Sequence, residues 1–356
     1  MKKLAAVLAL CLLLSGCGSW MDGSYASVTP HKGNSQTPES GIPSVRNLTQ
    51  MKDVLGELVE RGAESGRFSV EDFHSSALES SLDMAIADIL AKHPIGAYAL
   101  ERIDYEIGTT GGVSAVAVTL TYSRSVEDIR AIQFVSNMEQ AKKRVTDAVC
   151  AIETGVVLRI SQYQQVDFSQ IVDSFSQENP DLVMECPQVT VSVYPQEGID
   201  RVVDVRFTYQ SGRDALRTMR TYVEPVFSSA ALYVSSEEET DGVKYSRLCT
   251  FLMERNDYQQ KTSLTPAYSL LRHGVGDSRA FAMVYSAMCR KAGLECKLVS
   301  GTREGEPWFW NIICEDGVYY HVDLLSFPGF AKHSDAQMAG YVWDYSAYPA
   351  CGPTGE

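Results

Sequence analysis

Four residues in the last third of the chain bear on acyl-transfer chemistry. Ser278 carries a hydroxyl that becomes nucleophilic only beside a general base. His321 is a candidate for that base, and Asp323 for the carboxylate that orients an imidazole. Trp308 stands between them in the sequence and offers only an indole N–H donor, so it cannot accept a proton. His321 lies two residues before Asp323, and strand alternation puts both on one face. One reading is therefore a Ser278–His321–Asp323 site for acyl transfer or amide hydrolysis. The other is structural. Ser and Asp are preferred helix N-caps, and Asp277-Ser278 precedes an apolar-periodic helix, so Ser278 would cap it and His321 would pack in its strand.

The surrounding elements position these residues. Phe281, Val284, Tyr285, Met288 and Ala292 follow helical spacing, with Gly293 as the stop and Leu294–Gly301 as the next strand. Trp308–Cys314, a tight Asp316-Gly317 turn and Val318–Asp323 read as a hairpin. Val243, Leu248, Phe251 and Leu252 predict one buried stripe on the helix Val243–Tyr258. The order Gly274-Val275-Gly276-Asp277-Ser278, then Trp308-Phe309-Trp310-Asn311, then Tyr319-Tyr320-His321-Val322-Asp323 resembles the transglutaminase-like superfamily. There a Cys opens the helix, a His-x-Trp-Asn strand supplies the base, and the next strand ends in an aromatic run closing on Asp. In this chain Ser278 stands at the Cys position and Trp308 at the His position, while Asp323 remains.

The resemblance implies an α+β fold of the papain-like cysteine protease type, with the Ser278 helix packed on an antiparallel sheet carrying positions 308 and 323. It also implies a catalytically degenerate domain, because the family works through a Cys thioester. A groove could persist without that chemistry. Trp308, Trp310 and Tyr320 are candidate cleft aromatics, stacking on a peptide, protein segment or cell-wall fragment. No cofactor and no metal site is expected, since the Cys and His residues lack ligand spacing.

The N-terminus predicts location. Lys2 and Lys3 precede an apolar run from Leu4 to Leu14, too short to remain as a membrane span. Leu14-Ser15-Gly16-Cys17 resembles a bacterial lipobox, which implies cleavage after residue 16 and lipidation of Cys17. The expectation is a lipid-anchored protein on the extracytoplasmic face of the cell membrane. Residues 17–45 read as a flexible tether by their Gly, Ser, Pro and Asn content.

Between the tether and residue 225 the chain repeats itself. Thr121-Tyr122 to Arg130 and Thr208-Tyr209 to Arg217 share one spacing, each after two strand patterns and a helical run ending at Pro94 or Pro180. Each unit reads as helix, β-hairpin, helix, with turns at Gly111-Gly112 and Glu197-Gly198. The expected organisation is modules at 46–135 and 136–225, then a C-terminal domain at 226–356. The repeats themselves could be a spacer or the partner-binding surface.

The formal charge is −14, and −16 once Lys2 and Lys3 leave. With no basic cluster, nucleic acid is excluded as a direct partner. Of nine Cys, seven follow Cys17: Cys150, Cys186, Cys249, Cys289, Cys296, Cys314 and Cys351. That odd number cannot pair completely within one chain. Cys289 and Cys314 sit in apolar patterns and read as buried, inert thiols.

Overall fold

The computed structural model describes residues 42–352, apart from Asp72, His74, Gly111, Gly112, Glu237, Glu238 and Pro328. Cys17, the signal segment, the tether up to residue 41 and the Gly111-Gly112 turn lie outside the described residues.

A first four-stranded sheet comprises β1 (Ser44–Val45), β2 (Ser65–Val70), β3 (Leu100–Thr110) and β4 (Val113–Tyr122), in the order β1-β2-β4-β3. Its helices are α1 (Leu48–Glu60), α2 (Ser75–Lys92), α3 (Pro94–Ala99) and α4 (Val126–Arg130). A second sheet comprises β5 (Gln133–Val135), β6 (Gly155–Ile160), β7 (Gln188–Tyr194) and β8 (Arg201–Thr208), in the order β5-β6-β8-β7, with α5 (Met138–Cys150) and α6 (Phe168–Glu178). Both sheets have one parallel pair followed by two antiparallel pairs. Even the caps correspond. Asn47 accepts the Gln50 N–H at 2.9 Å and Asn137 accepts the Gln140 N–H at 3.0 Å. In each case the Gln side chain takes the backbone N–H of the residue before the Asn, at 2.9 Å. These reciprocal bonds satisfy amides that a helix start leaves open.

The pairing moves the expected boundaries. Ser44–Val45, read from composition as the end of the tether, is the first strand, and Gln133–Val135, read as the end of the first module, lies in the second sheet. The opening strand of each sheet has two or three residues, too short to show alternation, and so left no periodic signal. A guanidinium joins the two sheets. Arg159 donates to Glu60 at 2.8 Å and to Asp200 at 3.2 and 2.8 Å.

α7 (Arg213–Tyr233) runs across the expected boundary at 225, and its Leu216, Val223 and Phe227 bury with the core of the C-terminal domain. That domain contains α8 (Asp241–Met253), β9 (Asp257–Tyr258), α9 (Pro266–His273), β10 (Val275–Gly276) and α10 (Ser278–Lys291). Its antiparallel sheet is β11 (Cys296–Arg303), β12 (Glu306–Glu315), β13 (Val318–Val322) and β14 (Tyr341–Trp343), ordered β13-β12-β11-β14. Val243, expected on the buried stripe of α8, is 46% exposed; Tyr245 takes the core position because its hydroxyl reaches the Glu295 carbonyl at 2.6 Å.

β12 divides the domain. Ile313 packs in the core that holds α10, while Trp310 and Ile312 pack with Tyr341, Trp343 and Met338 on the opposite side. Asn311 fixes the helix to the strand by donating to the Ala282 carbonyl at 2.9 Å. Gly301 is the close approach that permits β14: an added Cβ would lie 2.2 Å from the Val342 carbonyl oxygen and 2.8 Å from the Trp310 ring.

Candidate functional site

The loop Gly274–Asp277 delivers the start of α10 to the end of β12. Gly274 ends α9 with a left-handed φ of 73°, a conformation open to Gly without Cβ strain. Asp277 is the N-cap of α10 and accepts the Ala280 N–H at 2.9 Å. The capping role expected for Ser278 therefore belongs to Asp277, and Ser278 is the first helical residue. The Ser278 side chain is 6% exposed, and its Oγ accepts the Phe309 N–H at 3.3 Å. β13 ends at Val322, opposite Asn311, so β12 has no ladder partner on that side at Phe309 and the hydroxyl takes that place.

Trp308 and Asp323 meet as the resemblance implies, with different chemistry. Trp308 Nε1 donates to Asp323 Oδ2 at 2.7 Å. The same oxygen accepts from Tyr341 Oη at 2.7 Å and from Ser326 Oγ at 2.5 Å, and Oδ1 accepts the Leu325 N–H at 2.9 Å. Four neutral donors thus satisfy a carboxylate that is 3% exposed. Burial, with the carboxylate as neighbour, pushes the Tyr341 hydroxyl well above its ordinary acidity constant. Nothing in this group takes a proton from Ser278. The crevice bounded by Ser278, Phe281, Phe309, Asp323 and Leu324 holds about 150 Å³ and leaves no room for a water-sized sphere.

His321 is turned to other partners. It is fully buried; Nδ1 accepts from Trp310 Nε1 at 2.9 Å and Nε2 lies 2.8 Å from Asp335 Oδ1. It bonds neither Ser278 nor Asp323, which corrects the reading of Ser278, His321 and Asp323 as one relay. Alternation does set 321 and 323 toward the Trp308–Trp310 side of the sheet, but register sends each to a different tryptophan. Burial lowers the His321 imidazole from its ordinary 6.5, with Asp335 opposing.

His321, Asp335 and Cys351 present nitrogen, oxygen and sulfur atoms within 4.8 Å of one another, a grouping that the sequence spacing concealed. The ring tautomer decides against a metal there. Trp310 can only donate, so Nδ1 carries no proton, and the neutral ring keeps its proton on Nε2 toward Asp335. A neutral imidazole bound through Nε2 would need a proton on Nδ1, against the Trp310 N–H. Trp310 is 1% exposed and cannot swing away. Burial also pushes the Cys351 thiol up to about 12, which keeps it protonated in the metal-free site. The trio instead ties the C-terminal tail to the sheet, where Asp335 Oδ2 accepts the Cys351 N–H at 3.1 Å.

Of the expected cleft aromatics, Trp310 is a core residue, edge-on to Tyr341 and Trp343 at 5.2 and 5.8 Å. Tyr320 packs on the α10 side with Lys332 over its ring. Trp308 is half-buried beside Tyr258, with ring centroids 5.7 Å apart. Sequence reasoning missed Ser326, Tyr341 and Asp335, whose polar side chains lie in irregular or very short segments without periodicity. Cys289 is buried within α10, and burial raises its thiol far above the ordinary range, so it is no nucleophile.

Residues 228–348 match the family model of the transglutaminase-like superfamily. Among solved structures the chain is similar to a TGase at 10% identity, covering 57% of this chain and 61% of that one, with a TM-score of 0.27. It is similar to a protein of Parabacteroides distasonis named for a proposed protease activity, at 11% identity, covering 74% of this chain and 40% of the other, with a TM-score of 0.25. A third, from Cytophaga hutchinsonii and named for a proposed cysteine protease activity, is 14% identical, covers 44% of this chain and 70% of its own, and has a TM-score of 0.26. The chain thus spans less than two thirds of the length of the first two of these proteins. No curated protein matches it.

Proposed function

We propose that the transglutaminase-like domain at residues 228–348 acts as a binding unit and not as an acyl-transfer enzyme, in a protein held by lipid on the extracytoplasmic face of a membrane. One observation carries the reading: the position of the family's base holds Trp308, whose N–H is bonded to Asp323. In an active relative the Asp would hold an imidazole that shuttles protons. The same strut here holds a donor-only indole, and His321 is bonded elsewhere. The ligand class that suits the Trp308–Tyr258 surface is a peptide, a protein segment or a cell-wall fragment. The two preceding sheets, with their matching strand order, would arise by duplication and serve to hold the domain away from the membrane.

Two experiments test this. Incubation with a serine-directed fluorophosphonate should leave the protein unlabelled, with no release of amine from peptide amides; labelling abolished by Ser278→Ala would overturn the non-catalytic reading. Detergent phase partition of the protein expressed with its signal should place it in the detergent phase, and Cys17→Ala should move it to the aqueous phase. Unchanged partition would remove the anchor.

A further inference from the structure

Arg303 closes β11 with its guanidinium 5.2 Å from the Trp308 ring centroid and 5.9 Å from that of Tyr341. Several of the other arginines stacked on aromatic rings also bond to the protein, although Arg272, 4.9 Å from the Tyr222 ring centroid, has no ion pair among the described residues. Arg124 over Tyr98 reaches Asp204, Arg247 over Tyr233 reaches Glu239, and Arg201 over Tyr163 donates to the Gly198 carbonyl. Among the described residues, Arg303 forms no ion pair and no side-chain hydrogen bond; Glu304 on the adjoining turn and Glu306, opposite Arg303 in the β11–β12 ladder, are exposed. The guanidinium of a half-buried arginine beside two rings, with its donors unengaged, can take a planar anion through its fork. Beside it lies apolar ring surface, since Tyr258 is 44% exposed and packs on Trp308.

We propose that Arg303, Trp308 and Tyr258 form a site that reads a carboxylate carried by a peptide. The guanidinium fork binds the two carboxylate oxygens, and the rings take the adjoining side chain. This rests on the reading of Trp308 as a binding surface. A carboxylate suits the fork's two parallel N–H bonds and adds only one negative charge in a chain of net charge −14. The competing account is internal: Arg303 offsets the Asp323 charge through the two rings and needs no ligand.

The test uses the full chain and two pools of acetylated tripeptides, identical except for a free or amidated C-terminus, with binding read by saturation-transfer NMR and then titration of retained peptides. The acid pool should bind at least tenfold better than the amide pool. Arg303→Lys, which keeps charge and loses the fork, should weaken the retained peptides about tenfold, and Arg303→Gln should abolish binding, with the thermal midpoint of Arg303→Lys unchanged. Equal retention of both pools, retention of neither, or full affinity in Arg303→Gln would overturn the proposal. So would competition by inorganic phosphate as strong as that by acetate, which would mark a general anion site. Cleavage of the peptides would instead overturn the non-catalytic reading, while the preference for acid over amide would remain measurable in Ser278→Ala.

Discussion

At position 323 a buried carboxylate is held by Trp308, Tyr341, Ser326 and the Leu325 amide, all of them neutral donors. Removing the acceptor strands several buried donors at once, each at about 1–3 kcal/mol. Asp323→Ala should therefore lower unfolding stability by about 3 kcal/mol or more, read as a shift of the urea midpoint at constant slope. Asp323→Asn, which keeps one oxygen, should cost less. A larger loss in Asn than in Ala would contradict the assigned bonds. Position 278 supports a second prediction. Ser278→Cys with Trp308→His restores a thiol at a helix N-terminus and an imidazole on Asp323, which should favour a thiolate. The double variant should be alkylated by iodoacetamide at position 278 faster than Ser278→Cys alone. Equal rates would count against the alignment of 308 with the base.

β14 and the tail after it are the elements that cover the sheet. Gly301 is required where β14 crosses, because a Cβ would meet both the Val342 carbonyl and the Trp310 ring. Gly301→Ala should detach that edge, seen as faster amide exchange at Tyr341 and Trp343, with a stability loss of about 1–3 kcal/mol. Unchanged protection would rule out the close approach. The tail also carries a pH dependence. Burial holds His321 below the ordinary 6.5, so the folded protein prefers the neutral ring and the unfolded chain binds the proton more readily. His93, half-buried beside Glu60 at 3.6 Å, is shifted in the same direction by its desolvation. The stability from both is fully present above pH 6.5 and declines as pH falls through the folded values. The urea midpoint should drop on acidification below 6.5, less steeply in His93→Asn; a midpoint rising toward acid would contradict the sign.

Across the whole molecule, two sheets of equal topology lead into the C-terminal domain, and the joints are made differently. Arg159 with Glu60 and Asp200 links the first sheet to the second, and α7 carries the second into the core around α10. Arg279, next to Ser278, also pairs with Asp173 of α6 at 3.3 Å. The ion pairs at the first joint are partly exposed and therefore weak, and both joints bury apolar surface, since Val202 of the second sheet packs in the core of the first unit and Tyr194 stands edge-on to Tyr98 at 5.6 Å. Arg159→Ala should therefore cost only about 1 kcal/mol or less, read as a small shift of the urea midpoint, with the first unit still protected from protease. Separate opening of the first sheet in that variant, seen as protease cleavage near residues 123–133 with the rest intact, would show that the ion pairs and not the apolar contacts hold the joint. The Arg159 joint left no trace in the sequence, because Glu60, Arg159 and Asp200 are far apart in the chain; the register of β6 against β8 sets Arg159 beside Asp200, and the packing of the two units brings in Glu60 at the end of α1.

Local order in the sequence sufficed for the elements of the C-terminal domain. The Ser278 helix and the Trp308 hairpin follow from helical spacing, turn residues and alternation, each a property of neighbours in the chain, whereas the convergence of positions 278, 308 and 323 was implied by the family resemblance. The identity of Trp308 alone excluded a base there, since indole has no acceptor nitrogen. Which histidine nitrogen bonds to what, which residue caps α10, and which aromatic lies inside or out were decided only by packing. Alternation names a face, but the partner on that face comes from a segment such as Tyr341, Asp335 or Arg303 whose arrival depends on the folded sheet.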